Sequence, residues 1–345
     1  GHADMRRIAD IMRGREFGHA AGFGNAAGTG ASLTIRNARV KAATVVFDSN
    51  LQLLTSDSGR VEASRLEFQT FLGAGVGAAA APFLIDLQGD SASVTGRLSG
   101  SLDLRESSGA LGLDRLEVGV GSATATTRLE TLAGDIVGRA GDGQADLVAS
   151  DLELVTAGGG IGLDGAALRL GSASGTVALA AEATGGAAGH VFISSQATLS
   201  LKTRGVSASA DVLLASDFDL LAQRNAGEVA TVSANGAVSL LSWQGLEALS
   251  AAAGGLNLGR VTLDAPSVVN PDGTIELVAG AGSLLMGSDT QLSTLGASGG
   301  QVRVVAGGAV TVSQIVAGAG QVAIVARGAS IIDGDSTDGS GPDVR

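Results

Sequence analysis

Gly300-Gln-Val-Arg-Val-Val-Ala-Gly-Gly-Ala309 returns a short way along the chain as Gly320-Gln-Val-Ala-Ile-Val-Ala-Arg-Gly-Ala329. In each copy an aliphatic residue stands at every second position, Val302 and Val304 in the first and Val322 and Ile324 in the second. A period of two puts those side chains on one face of an extended strand, and the glycines that follow supply the turn. A repeat of about 20 residues with two or three such strands is the size of one coil of a parallel β-helix. Coils of that kind stack at about 4.8 Å, the spacing between paired strands.

The same short bursts run through the rest of the chain. Leu51-x-Leu53, Leu102-x-Leu104, Leu152-x-Leu154, Val191-x-Ile193, Val212-x-Leu214, Val238-x-Leu240 and Ile275-x-Leu277 are examples, each followed closely by Gly, Ser, Asn, Asp or Thr. A second, longer echo runs from Gly112-Leu-Asp-Arg-Leu-Glu-Val-Gly-Val-Gly-Ser-Ala123 to Gly162-Leu-Asp-Gly-Ala-Ala-Leu-Arg-Leu-Gly-Ser-Ala173. Related strand starts follow one another at Val191, Val212 and Val229, again at about one coil's spacing. These repeats favour a solenoid over a string of β-sandwiches. Sandwiches use hairpin turns such as Asn-Gly, and only Asn235-Gly236 fits. The expected fold is all-β, a right-handed parallel β-helix of roughly 20-residue coils. About 300 residues of such coils make about 15 turns and a rod roughly 70 Å long.

Composition agrees with thin, closely stacked coils. Of 345 residues 54 are Gly, aromatics make up 3%, there is no Tyr, and Trp243 is the one Trp. Cys is absent, so disulfide, thiol and Cys–metal chemistry are excluded. The net charge is −12, with Lys41 and Lys202 the only lysines and the arginines scattered. That balance excludes a nucleic-acid partner, which needs clustered cations, and leaves divalent cations open. No run of about 18 apolar residues occurs, so no membrane insertion is expected. The most apolar window, Gly73 to Leu87, is broken by Pro82.

Three segments are expected. Residues 1–30 form an irregular start, with a short helix over Ala3–Phe17 carrying Ile8, Ile11 and Met12, then a Gly-rich linker from Ala20 to Gly30. Residues 31–332 form the β-helix, with Gly73–Ala81 as a loop or insertion. Residues 333–345 form an acidic loop.

Catalytic patterns are sparse. The histidines are His2, His19 and His190; no two are spaced for a zinc-hydrolase helix, and His190 reads as a solvated turn residue before a strand. Gly22-x-Gly24 and Gly73-x-Gly75 open no βαβ unit. Polysaccharide hydrolysis needs paired carboxylates, and Asp114 and Asp164 occupy equivalent repeat positions. Sugar clefts also need aromatic platforms, and Trp243 among apolar neighbours reads as a core plug or coil-edge cover. No catalytic residue is therefore expected. Calcium is the best ligand reading. Gly159-Gly-Ile-Gly-Leu-Asp164-Gly-Ala-Ala matches one calcium-roll nonapeptide, and Asp333-Gly-Asp335-Ser-Thr-Asp338 has the acidic spacing of a calcium loop without its closing Glu. Both also read as solvated turns.

Ala133-Gly-Asp-Ile136, Ala145-Asp-Leu-Val-Ala-Ser-Asp-Leu-Glu-Leu154, Gly158-Gly-Gly-Ile-Gly162 and Ala329-Ser-Ile-Ile-Asp-Gly334 resemble the repeats of filamentous-haemagglutinin-like large bacterial exoproteins. The resemblance covers roughly residues 100–340, and its motifs encode turn–strand–turn, so it speaks to architecture more than activity. It implies a secreted or cell-surface bacterial stalk with adhesive or matrix roles. The family's secretion domain has no counterpart here. The expectation is a non-enzymatic structural and adhesive rod whose partners are glycans or proteins of a host or neighbouring cell surface or matrix. The alternative is a self-assembling extracellular filament or matrix subunit that associates through its solenoid ends; a carbohydrate-active β-helix stands third.

Overall fold

The computed structural model describes residues 20–24, 32–141, 143–222 and 301–334. Between 223 and 300 it describes the segments 224–225, 228–229, 231–234, 238–242, 245–246, 260–263, 274–279, 284–286 and 291–294. The expected helix over Ala3–Phe17, His2, His19, Asn235-Gly236 and Trp243 lie outside the described residues.

Parallel strands stacked coil upon coil make a β-solenoid. One column begins at Ala20–Gly24 and passes through Arg39–Ser49, Arg60–Thr70, Ser93–Leu98, Leu111–Val118, Leu147–Val148, Leu168–Gly171 and Val191–Ser195. It continues through Val212–Ser216, Val238–Ser242, Thr274–Ala279 and Gln301–Ala306 to Val322–Ala326. Every step is parallel, so each coil must travel right round before it pairs again. The one helical element among the described residues is a single 3₁₀ turn, Gly186–Ala188.

The quoted repeat stacks as its sequence implies: Val302 pairs with Val322 and Val304 with Ile324. The longer echo spans two coil steps, Leu111 pairing with Ile136 and Ile136 bridging to Ile161. Its second half slips. Leu116 stacks through Leu147 onto Leu170, not onto Ala166, because a tight turn inserts residues 163–166 at the corner. Coil length thus varies. The steps from Val304 to Ile324 and from Phe47 to Phe68 are short, and the step from Leu240 to Leu277 is nearly twice as long. The coils are fewer and longer than a uniform 20-residue repeat implies, since corners absorb insertions that the paired strands cannot.

Three sequence expectations are corrected. Ala20–Gly24, expected as linker, is a strand paired with Thr44–Asp48. Strand pairing with the next coil overrides its Gly-rich composition. Gly73–Ala81 is not a looped-out insertion, since Val76 is buried and bridges both Leu53 and Leu102, with only a small turn at Ala78–Ala81 projecting. Val229 does not start the coil after Val212. Val238 does, and Val229 belongs to a short antiparallel pair with Arg224.

The inward side chains form continuous ladders. Near the N-terminal end these include Phe47 stacked on Phe68 at 5.7 Å, with Phe83 edge-on to both at 5.6 and 5.8 Å. Further along the core is aliphatic, with the in-register ladders Leu104–Leu129–Leu154 and Leu152–Leu179–Leu201. Leu129 and Leu179 each lie between two leucines, so burial of roughly 2 kcal/mol per Leu is drawn from both adjacent coils.

Candidate functional site

Strands Leu102–Glu106, Thr127–Thr131, Asp151–Thr156, Thr176–Ala183 and Thr198–Ala208 stack to form one flank. Their alternating pattern turns Leu102, Leu104, Leu129, Leu152 and Leu154 inward, which leaves the intervening residues on the outer face. Those outer residues are charged and in register. Asp103, Arg128 and Glu153 form one line, each a coil beyond the last, and Arg105 and Glu130 form the line beside it.

The lines carry ion pairs across the coil boundaries. Arg128 Nη1 lies 2.7 Å from Glu130 Oε2 and 3.6 Å from Asp103 Oδ1, and its Nε lies 3.6 Å from Glu153 Oε1. Arg105 Nη2 donates to Glu130 Oε2 at 2.9 Å. Two coils on, the strand Thr198–Ala208 bulges. Leu201 pairs with Leu179 and Val206 with Ala181, so residues 202–205 stand opposite Ala180 alone. Gly205, at φ +67°, supplies the left-handed backbone that the bulge needs. The bulge carries Lys202 onto Asp151, and Arg204 onto Glu153 and Glu182.

Burial tunes these groups in different directions. Burial raises the Glu130 carboxyl, but hydrogen bonds from Arg105 and Arg128 and their charges outweigh it and hold it below the usual carboxylate range. Burial alone would lower Arg128, yet the bond to Glu130 and three neighbouring carboxylates push it above the ordinary arginine value. Asp103, 6% exposed, is raised because burial exceeds the pull of Arg128 and Arg105, and neither of its carboxylate oxygens has a hydrogen-bond partner.

At the corner that ends this flank, Glu106, Thr131 and Thr156 stack in register. The Thr156 hydroxyl donates to the Gly159 carbonyl at 2.7 Å, and Thr131 bonds Gly134 in the same way. Glu106, 0% exposed, accepts instead from the amides of Leu87, Ser108 and Gly109 at 2.9, 3.1 and 3.2 Å. Burial raises its carboxyl further than those three donors lower it.

A groove of about 350 Å³ lies on another face, beneath the turn Gly119–Ala123. Its walls include the Arg97–Glu117 ion pair at 3.3 Å, Val148, Ser150 and Ser174.

The residues singled out in the sequence are dispersed. Asp164 is exposed at the tip of the Leu163–Ala166 turn. The glycines before it serve coil packing, since a Cβ on Gly162 would strike the Phe192 carbonyl oxygen. Asp333 is exposed on the strand Ile331–Asp333, while Asp335 and Asp338 lie outside the described residues. Among the described residues no group of three His, Cys, Asp or Glu is arranged to hold a metal ion. Asp114 and Asp164 do not face each other. The coil carrying Gly138 and Arg139 lies between them, and Asp114 sits 4.0 Å from Arg65. His190 is half-buried, not solvated; it stacks on Phe192 at 4.6 Å with Nε2 3.0 Å from the Gly162 carbonyl oxygen.

No family model, curated protein or solved structure matches this chain. Among the described residues no helix is long and apolar enough to cross a membrane.

The charged flank was missed in the sequence, although its signal was there. Asp103, Arg128 and Glu153 recur at equal steps, Arg105 and Glu130 are separated by the same step, and the signs alternate from coil to coil.

Proposed function

We propose that the chain is a non-catalytic structural rod of a secreted or cell-surface bacterial protein, holding adhesive surface away from the cell toward glycans or proteins of a host, neighbouring cell or matrix. The observation that carries this reading is the Asp103–Arg128–Glu153 line. Its carboxylates are each engaged by an arginine from a neighbouring coil, which suits them to locking coil to coil rather than to general acid–base work on a substrate. A solenoid gives such a protein length for few residues, and repetition along its flank lets weak contacts add through multivalency. The resemblance of residues 100–340 to large bacterial exoproteins supports the location and the adhesive role.

The test is to immobilise the chain and offer it matrix proteins, cells and an array of glycans, while a parallel reaction with polysaccharides is followed for new reducing ends. Saturable retention without reducing ends is expected. Release of reducing ends, or no retention on any surface, overturns the proposal.

A further inference from the structure

Two Asp-Gly pairs lie wholly within the described residues, and the fold treats them differently. Asp164-Gly165 is the tip of the tight turn at a coil corner. Leu163 and Ala166 close that turn with reciprocal amide-to-carbonyl bonds of 3.0 and 2.9 Å. Asp164 and Gly165 are both exposed. Gly165, at φ +72°, takes the left-handed conformation of the turn, and a Cβ added there would meet nothing. Neither the Asp164 carboxylate nor the Gly165 amide has a hydrogen-bond partner among the described residues.

Asp333-Gly334 has the same two residue types in a held backbone. Asp333 is in register with Val312, and the Gly334 amide donates to the Val312 carbonyl at 2.7 Å. A Cβ on Gly334 would lie 2.8 Å from Thr311 Cγ2 and 3.1 Å from the Met286 carbonyl oxygen, so this peptide has little room to turn. The remaining Asp-Gly pairs begin at Asp142, Asp272 and Asp338, which lie outside the described residues.

We propose that Asp164 is a modification site at which the chain isomerises spontaneously to isoaspartate. The Gly165 nitrogen attacks Asp164 Cγ. A C–N bond forms, and the amide proton leaves with the carboxyl hydroxyl as water, which closes a succinimide. Water then adds to either ring carbonyl. Opening at Cγ restores aspartate. Opening at the main-chain carbonyl leaves the backbone running through Cβ and Cγ, with the free carboxylate on Cα. The water lost equals the water gained, and no oxidant, cofactor or second protein takes part. Attack requires the peptide to swing toward the side chain. The turn tip is free to do this, whereas at Asp333 the strand register and the Gly334 bond hold the peptide in place.

The product lengthens the turn by a single backbone carbon. The Ile161 and Gly162 amides stay tied to the His190 and Ile136 carbonyls, both at 2.8 Å, and Leu168 is paired with Ile193. The coil is therefore anchored on both sides of the tip. The corner takes up the extra atom as it takes up inserted residues, and the stack stays intact. The inference rests on the turn alone, and its failure leaves the adhesive reading untouched.

The full chain is incubated at neutral pH and body temperature in heavy-oxygen water, either folded or in urea. It is then digested in ordinary water and read by mass spectrometry with electron-transfer fragmentation. In the folded chain, isoaspartate carrying heavy oxygen should build up several-fold faster at Asp164 than at Asp333. In urea the two positions should react at similar rates, because Gly follows both. Asp164→Glu keeps the charge on an exposed turn but cannot close a succinimide, so no isomer should form there. The aged wild type should melt as the fresh protein does. Absence of isoaspartate at Asp164, equal rates at the two positions in the folded chain, a preference that persists unchanged in urea, or a lowered melting transition after ageing would each overturn the proposal.

Discussion

Gln301–Ala306 and Val322–Ala326 have almost the same sequence and the same parallel partner relation, yet their aliphatic side chains have different surroundings. Val302 and Val304 are 1% and 0% exposed because a coil lies on each side. Val322 and Ile324 have a described coil on one side only and are half-buried. In a solenoid an inward position is not buried by its own coil. Its burial is granted by neighbours, and identical local sequence acquires different energetic weight according to place in the stack.

The sharpest test of that contrast is to truncate equivalent positions. Val304→Ala removes two methyl groups from a filled site and should cost about 2–3 kcal/mol. Ile324→Ala removes more carbon from a half-buried site yet should cost less than about 1 kcal/mol. Urea unfolding of the two variants, compared with the wild type, measures both. An equal or reversed order would break the comparison.

The charged flank extends the contrast to polar groups. Arg128 lies between two coils and touches Asp103, Glu130 and Glu153, with its side chain 30% exposed. Arg128→Ala leaves the buried Asp103 carboxylate without its nearest cation, and after allowance for solvent a loss of about 1–2 kcal/mol is expected. Asp103→Asn in the Arg128→Ala background should recover part of it. A thermal-melting double-mutant cycle shows whether the two residues are coupled.

Within the same coils, two glutamates should respond to pH with opposite signs. Glu106 has a folded pKa above its ordinary value of 4.5, so its contribution is fully present below that value and is lost as pH rises through the folded pKa. The stability of the wild type relative to Glu106→Gln should therefore be greatest in acid and decline as pH rises. Glu130 has a folded pKa below 4.5, so its contribution is present above that value and is lost as pH falls through the folded pKa. Melting curves of Glu106→Gln and Glu130→Gln from pH 3 to 7 should diverge from the wild type in opposite directions.

The smallest effect belongs to Arg36, paired with Asp57 at 2.8 Å but with its side chain 73% exposed. Arg36→Ala should change stability by no more than about 0.5 kcal/mol, and less in high salt. A loss as large as that of Arg128→Ala would show that position between coils is not what gives the flank its strength.

The strands of the solenoid were legible because alternation is local: Val302-x-Val304 and Leu152-x-Leu154 declare an inward face without reference to any partner. Parallel stacking was legible wherever corners are short, as in the return from Gly300 to Gly320. Where corners take insertions, the eye is misled. The turn at Leu163–Ala166 shifts the second half of the longer echo, the pair Arg224–Val229 hides Val238 as the true successor of Val212, and Ala20–Gly24 has no side-chain pattern to mark it as a strand. Acidic spacing along one turn says nothing about what adjacent coils bring beside it, and Asp164 and Asp333 accordingly stand exposed with no cluster of ligands around them among the described residues. The charge lines through Asp103 and Arg105 succeed for the converse reason, since their partners lie one coil away and are joined by the same register as the core.

The sequence by itself therefore determined the strand alternation, the turn chemistry and the solenoid class, all of which depend on residues within a few positions of one another. Only the tertiary structure decided which Arg meets which carboxylate, which Glu is buried, and which copy of the same aliphatic phrase is fully buried and which half-buried. Those outcomes depend on corner lengths and on the presence of a coil above and below, and no single coil's residues encode them.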